Sequence, residues 1–297
     1  MELFSKKKVD KTTKEKKEKK PQEPQYYYSN TKIPTYNYKV YYMSALEKIL
    51  YFLLAFVAGA LVGYLFYGGI GKDEFGQRTL LTWILDITIP CAVGIGAGIA
   101  FIPIRTQQIM EKKRNALRNQ FRDMLEGLTT SLGAGRNMPD SFEAVYEDLQ
   151  VQYEEDAAIL QELYVILVGI RNNDKLEDLL VDFGARSGIE DIVSFANVFA
   201  ISNRKGGNHK ETIRNTYAIL SDKMEINEDI ETMVTANKTE QNMMIVMPIA
   251  LIGMIKMMSA DFAANFVTPA GILATTIGIV LFVAAYYVGR VVLDIKV

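Results

Sequence analysis

The chain has 297 residues, 49% hydrophobic and 23% charged, with a formal net charge of −2. Its single cysteine, Cys91, excludes an internal disulfide framework and any multi-cysteine metal site, and its single histidine, His209, has no second histidine to join it. The average hides an uneven distribution: residues 1–48 hold 12 Lys/Arg against 6 Asp/Glu, a net of +6, whereas residues 105–240 hold 16 against 24, a net of −8. Almost all the uncharged sequence lies outside those two regions, which is the pattern of a membrane protein with water-facing parts of opposite sign.

Residues 1–48 read as a Lys/Tyr-rich cytoplasmic tail, largely disordered. The tail either reinforces topology or is drawn to anionic lipid, at ~1 kcal/mol per basic residue near the surface. It is no signal peptide, because the first apolar run begins only near residue 49 and is too long. Residues 49–70 contain no charge and would reach about 33 Å as a helix, enough to cross a ~30 Å hydrocarbon core. Ser44 and Glu47 ahead of them have capping-box spacing. A second span is expected over 80–104, a third over 243–260 and a fourth over 266–289. Segments 49–104 and 241–289 therefore read as two transmembrane hairpins.

Lys and Arg cluster before the first span, after the second and in the tail 290–297, where Arg290 and Lys296 lie. The connection 71–79 has only Lys72 and Arg78, and 261–265 has none. Both termini and the 105–240 segment are therefore expected in the cytoplasm. Asp86 and Lys256 fall about 10 Å and about 6 Å inside the opposite membrane boundary, a candidate intramembrane charge pair. A transporter would use such a pair for ions; a bundle would use it as a clip. Four mostly apolar spans make a poor ion pathway.

Residues 105–240 are enough for one domain, and they read as wholly helical. Leu117, Phe121, Met124, Leu125, Leu128 and Leu132 mark one face of the first helix. Gly133 and Gly135 break it, and Asn137, Pro139 and Asp140 begin the second, which carries Phe142, Val145, Tyr146 and Leu149. The third, near 156–171, is almost continuously apolar. Asp174 with Glu177 suggests a capped start for the fourth, and a fifth follows Gly188. The sixth carries Ile213, Tyr217, Leu220 and Met224 and has no break before the third span. The second span likewise continues into the first helix, so the domain should hang on two helical stalks. The fold class is all-α: a polytopic membrane protein with four transmembrane helices, in two hairpins, flanking a six-helix cytoplasmic bundle.

The stretch 202–213, SNRKGGNHKETI, is the one candidate for chemistry. A phosphate-binding P-loop needs G-x-x-x-x-G-K-[ST] after a strand; here the glycines are adjacent, Glu211 stands where Ser or Thr is needed, and the flanking elements are helical. His209 lacks the nucleophile and orienting partner a catalytic base requires. The stretch reads as a helix junction, with Gly206 and Gly207 permitting a left-handed C-cap and Asn208 capping the next helix. A similar corner, GRNMPDSF, spans 135–142. Arg136, Arg204 and Lys205 on the two corners are candidates for docking partner surfaces, or else solvated turn charges. No catalytic residues, cofactor, metal or nucleic acid are expected.

Together, FRDMLEGLTTSLGAGRNMPDSFEAV and SNRKGGNHKETIRN, placed in that order between spans 2 and 3, resemble the F-domain platform proteins of type II secretion and type IV pilus machines. The likeness is nearest to the TadB-like branch of the tight-adherence (type IVc) pilus system. The resemblance implies a non-enzymatic platform in the inner membrane that contacts a hexameric cytoplasmic ATPase, a sister platform protein and pilin subunits. It implies a homo- or hetero-oligomer, because secretion-type relatives carry two copies of the domain and this chain has one. The rival readings are a membrane-tethered signalling or scaffolding adaptor and, less favoured, a small transporter.

Overall fold

The computed structural model describes residues 23–28, 33–71, 77–204 and 209–293. About 82% of the described residues are helical. Helix α1 covers Ala45–Tyr67, and its start is fixed by the Glu47 carboxylate, which accepts from the Ser44 backbone N–H at 2.9 Å. Helix α2, Leu80–Gly133, begins where the Thr79 hydroxyl accepts from Thr82 N and then runs for 54 residues, about 81 Å at ~1.5 Å per residue. Four shorter helices follow: α3 Met138–Gln152, α4 Ala158–Arg171, α5 Leu176–Ser187 and α6 Glu190–Arg204. Helix α7, His209–Met258, is a second unbroken rod of 50 residues. Ser259 stops it and caps the short α8, Ala260–Asn265, by accepting from Phe262 N; α9, Pro269–Leu293, completes the described chain.

Among the described residues, four helical stretches are long and apolar enough to cross a membrane: α1, the N-terminal part of α2, Thr239–Met258 of α7, and Pro269–Gly289 of α9. Helices α1 and α2 run antiparallel and nearly touch through small residues. A Cβ added at Gly94 would lie 2.8 Å from the Phe56 backbone oxygen, and one at Gly59 would lie 2.8 Å from the Ala97 Cβ. Such close approach replaces the hydrophobic effect as the source of helix association between spans.

The C-terminal half of α2, helices α3–α6 and the N-terminal half of α7 share one apolar core. Leu117, Phe121, Met124, Leu125 and Leu128 of α2 are completely buried, and so are Phe142 of α3 and Ile159 and Leu163 of α4. Ile213, Leu220 and Met224 of α7 complete it, as their 7–4 spacing predicts for one helix face. Beyond Met224 the apolar residues of α7 leave the core: Ile226 and Met233 are exposed. The start of α5 differs from expectation. Asp174 does not cap it, because its N–H closes the end of α4 on Gly169 O, with Asn173 in the left-handed region at φ 60°. The cap position passes to Lys175, whose side chain makes no capping bond.

The expectation of a largely disordered 1–48 needs correction over its described part. Strands β1 (Tyr26–Tyr28) and β2 (Pro34–Tyr36) pair antiparallel, Tyr26 opposite Tyr36. The strap that follows is packed down: Thr35, Asn37, Tyr38 and Met43 are buried, and Tyr38 joins the main core. Tyrosine explains the difference, since a ring can be buried provided its hydroxyl finds a partner. The lysine-rich residues 1–22 lie outside the described residues.

Candidate functional site

The corner at 133–140 is built as its residues dictate. Ala134 is the C-cap of α2, Gly135 takes φ +89°, and two backbone bonds close the turn: Gly135 N to Leu132 O and Arg136 N to Ser131 O. This is the Schellman arrangement, and it needs a residue tolerant of positive φ at the Gly135 position only. Gly133 is the last helical residue, and a Cβ there would meet nothing within 4 Å, so its expected structural role is not sterically required. Asn137 caps α3, its side-chain oxygen accepting from Asp140 N at 2.9 Å. Arg136 projects into solvent between the two helices.

Arg204 is exposed at the end of α6. Lys205, Gly206, Gly207 and Asn208 lie outside the described residues. The ion pairs of α6 show which end of the core Arg204 occupies. Asp191 pairs with Arg118 of α2 at 3.1 Å and with Lys223 of α7 at 2.8 Å, so those two positions share one level. From that level α2 climbs 15 residues to Gly133 and α7 has descended 14 from His209, about 21–23 Å in either case. Arg136 and Arg204 therefore mark the same end of the helical core, the end farthest from the apolar segments.

Sequence reasoning missed a buried polar cluster on the opposite side of α4 from solvent. Glu162 is 2% exposed and Arg186 6% exposed, and the guanidinium grips the carboxylate through two parallel contacts of 2.7 Å, Nη1 to Oε1 and Nη2 to Oε2. Arg186 Nε also bonds Asp182 at 2.8 Å, and Nη1 reaches the Tyr36 carbonyl at 3.2 Å. The strap closes the cluster. The Tyr38 hydroxyl donates to Glu162 Oε1 at 3.1 Å, and Tyr38 N donates to Arg186 O at 3.1 Å. Burial raises the Glu162 carboxyl against the opposing pull of Arg186. For Arg186, burial disfavours the cation, but the bonds and charges of Glu162 and Asp182 outweigh it and hold the proton more firmly than usual. Bidentate geometry makes this an ionic pair. The signal was present: one glutamate stands in the otherwise uncharged "AILQELYVILVGI" of α4, the kind of buried charge that requires a partner.

Asp86 and Lys256 are brought to one cleft, also lined by Arg78, at the end of the spans remote from the core. Each engages the C-terminal turn of α1. Asp86 Oδ1 accepts from Gly69 N at 2.6 Å, while Lys256 Nζ donates to Leu65 O at 2.7 Å and Phe66 O at 3.3 Å and lies 4.8 Å from the Phe266 ring centre. A cation on a helix's last carbonyls is favourable for the macrodipole as well as for the orphan acceptors. This chemistry is that of a structural clip tying α7 to α1. Among the described residues, no group of three or more His, Cys, Asp and Glu stands together to hold a metal ion.

No family model, curated protein or solved structure matches this chain.

Proposed function

We propose that this chain is a non-enzymatic membrane platform of a pilus-assembly or type II secretion-like machine. In this reading two transmembrane hairpins, 49–104 and 241–289, flank a six-helix cytoplasmic domain over 105–240, in the inner membrane, with both termini in the cytoplasm. The domain receives a hexameric ATPase at its membrane-distal corners, and its stalks carry the resulting displacement to the spans, where pilin subunits are drawn out of the bilayer. A sister platform protein or a second copy completes the assembly.

The observation that carries the reading is the continuity of α2 and α7. Each runs without a break from the shared core into an apolar stretch of membrane-spanning length. A flexible linker would dissipate a push; an unbroken helix transmits it. Arg136 and Arg204, exposed at one end of the core, are the docking positions this reading selects.

The test is crosslinking in native membranes from a single cysteine placed at Arg136 or Arg204, with Cys91→Ser, followed by mass spectrometry of the captured protein. Recovery of a secretion-type ATPase or a second platform protein is expected. Capture of neither, with the chain intact and in the membrane, would remove the platform reading in favour of a membrane-tethered adaptor.

A further inference from the structure

The cleft that holds Asp86 and Lys256 has chemistry that the clip does not use. It has a volume of about 540 Å³ and opens at the membrane boundary remote from the core, between the end of α1, the start of α2 and the end of α7. It shares Val62 and Ile249 with a second cleft of about 580 Å³ that runs on between α1, α7 and α9. That second cleft is lined almost entirely by apolar side chains, among them Ile252, Ile279 and Phe282. A charged chamber thus leads directly into an apolar trough lying along the spans, and the space is amphipathic in the same sense as a phospholipid.

The charges narrow the choice. Lys256 spends its ammonium on the α1 carbonyls and the Phe266 face. Of the charged residues described along the cleft, Arg78 and Asp86 remain to face a ligand. Arg78 is exposed, its guanidinium 5.6 Å from the centre of the Trp83 ring, an aromatic of the kind that seats at headgroup level. Among the described residues no ion pair joins Arg78 to Asp86. Asp86 gives Oδ1 to Gly69 N, which leaves Oδ2 for a second donor. Among its described lining residues the chamber therefore offers one cation suited to phosphate and one carboxylate suited to an ammonium, a zwitterionic complement.

We propose that this cleft binds a phospholipid with a primary-ammonium headgroup. Its phosphate lies on Arg78, its ammonium donates to Asp86, and one acyl chain lies in the trough between α1, α7 and α9. An anionic glycerol headgroup would leave Asp86 facing no cation. A trimethylammonium headgroup would bring the charge without a hydrogen to donate. The proposal depends on the four spanning segments and is independent of the platform reading.

The experiment is native mass spectrometry of the full chain, purified in detergent and offered an equimolar mixture of phosphatidylethanolamine, phosphatidylglycerol and phosphatidylcholine. One retained phosphatidylethanolamine is expected, favoured over either competitor by about tenfold, the effect of one charge-assisted hydrogen bond. Arg78→Gln should lower retention of all three lipids alike by about tenfold, since each carries the phosphate. Asp86→Asn keeps an oxygen for Gly69 N and should erase only the preference among the three. Equal retention of all three lipids by the unsubstituted chain would overturn the proposal without any variant having to fold. So would unchanged retention in Arg78→Gln.

Discussion

Arg186 is the most informative residue to remove. In Arg186→Met the side-chain volume is roughly kept, but Glu162, 2% exposed, loses both guanidinium contacts and retains only the Tyr38 hydroxyl. Breaking a buried pair on one side costs about 3–5 kcal/mol, because the surviving charge stays desolvated. At ~3 °C per kcal/mol for a domain of this size, the melting temperature should fall by roughly 9–15 °C. The double variant Glu162→Met with Arg186→Met leaves no charge behind and should recover most of that loss. The sign of the pH dependence follows from burial. Removal of the Arg186 counterpull leaves burial, with the nearby Asp182 charge, to raise the Glu162 pKa against only the Tyr38 bond, so the folded state holds a proton that the unfolded state releases near the ordinary value of 4.5. The stability so conferred is fully present below that value and is lost as pH rises through the raised one. The single variant's deficit should therefore shrink on acidification from pH 8 to pH 5, read by thermal melting of the detergent-solubilised full chain. A loss under ~1 kcal/mol, or a double variant no better than the single, would refute the reasoning.

Three further outcomes follow from the same geometry. Gly135→Ala should cost about 1–2 kcal/mol because φ is +89° there, whereas Gly133→Ala, inside a helix with open space around it, should stabilise by up to about 1 kcal/mol; paired denaturation curves compare them. Gly94→Leu drives a side chain into Phe56 and should separate α1 from α2 at a cost of about 1–3 kcal/mol or more, seen as lost disulfide trapping between cysteines placed at Phe52 and Gly98 in a Cys91→Ser background. At high pH, burial raises the Tyr38 pKa well above its usual 10, and burial with the Asp123 contact lifts Tyr153 to about 12. Both groups stay protonated in the folded chain when the unfolded chain has ionised. Stability should fall as pH rises from 10 toward 12, and Tyr153→Phe should flatten that slope in a melting series.

The large-scale plan was legible because it rests on patterns that single residues cannot overturn. Apolar runs of membrane length mark the candidate spanning helices, and the 3.6-residue spacing of Leu117, Phe121, Met124 and Leu128 marks the buried face of α2. The absence of Pro and Gly from 209 to 240 marks the reach of α7. The corner at Asn137 was also readable, because a cap is a local device. What escaped depends on contacts far apart in sequence. Tyr38 meets Glu162 across 124 residues, and Tyr36 meets Arg186 across 150. Composition also misled: lysines 6–20 dominate the first 48 residues and masked a tyrosine-rich segment that packs on the core. Asp174 misled for the opposite reason. Its spacing to Glu177 suits a cap, but the end of α4 claims its backbone first.

The unbroken course of α2 also makes the molecule sensitive to phase. One residue added or deleted between Ile104 and Leu117 would turn everything beyond it by ~100° about the helix axis while shifting it by only ~1.5 Å. Helix α7 and the strap at Tyr38 hold the same core by separate routes, so they would resist that turn. With three attachments and one rotation to agree on, the azimuth of the core above the spans is overdetermined. An insertion of about one full helical repeat would be tolerated far better than an insertion half as long.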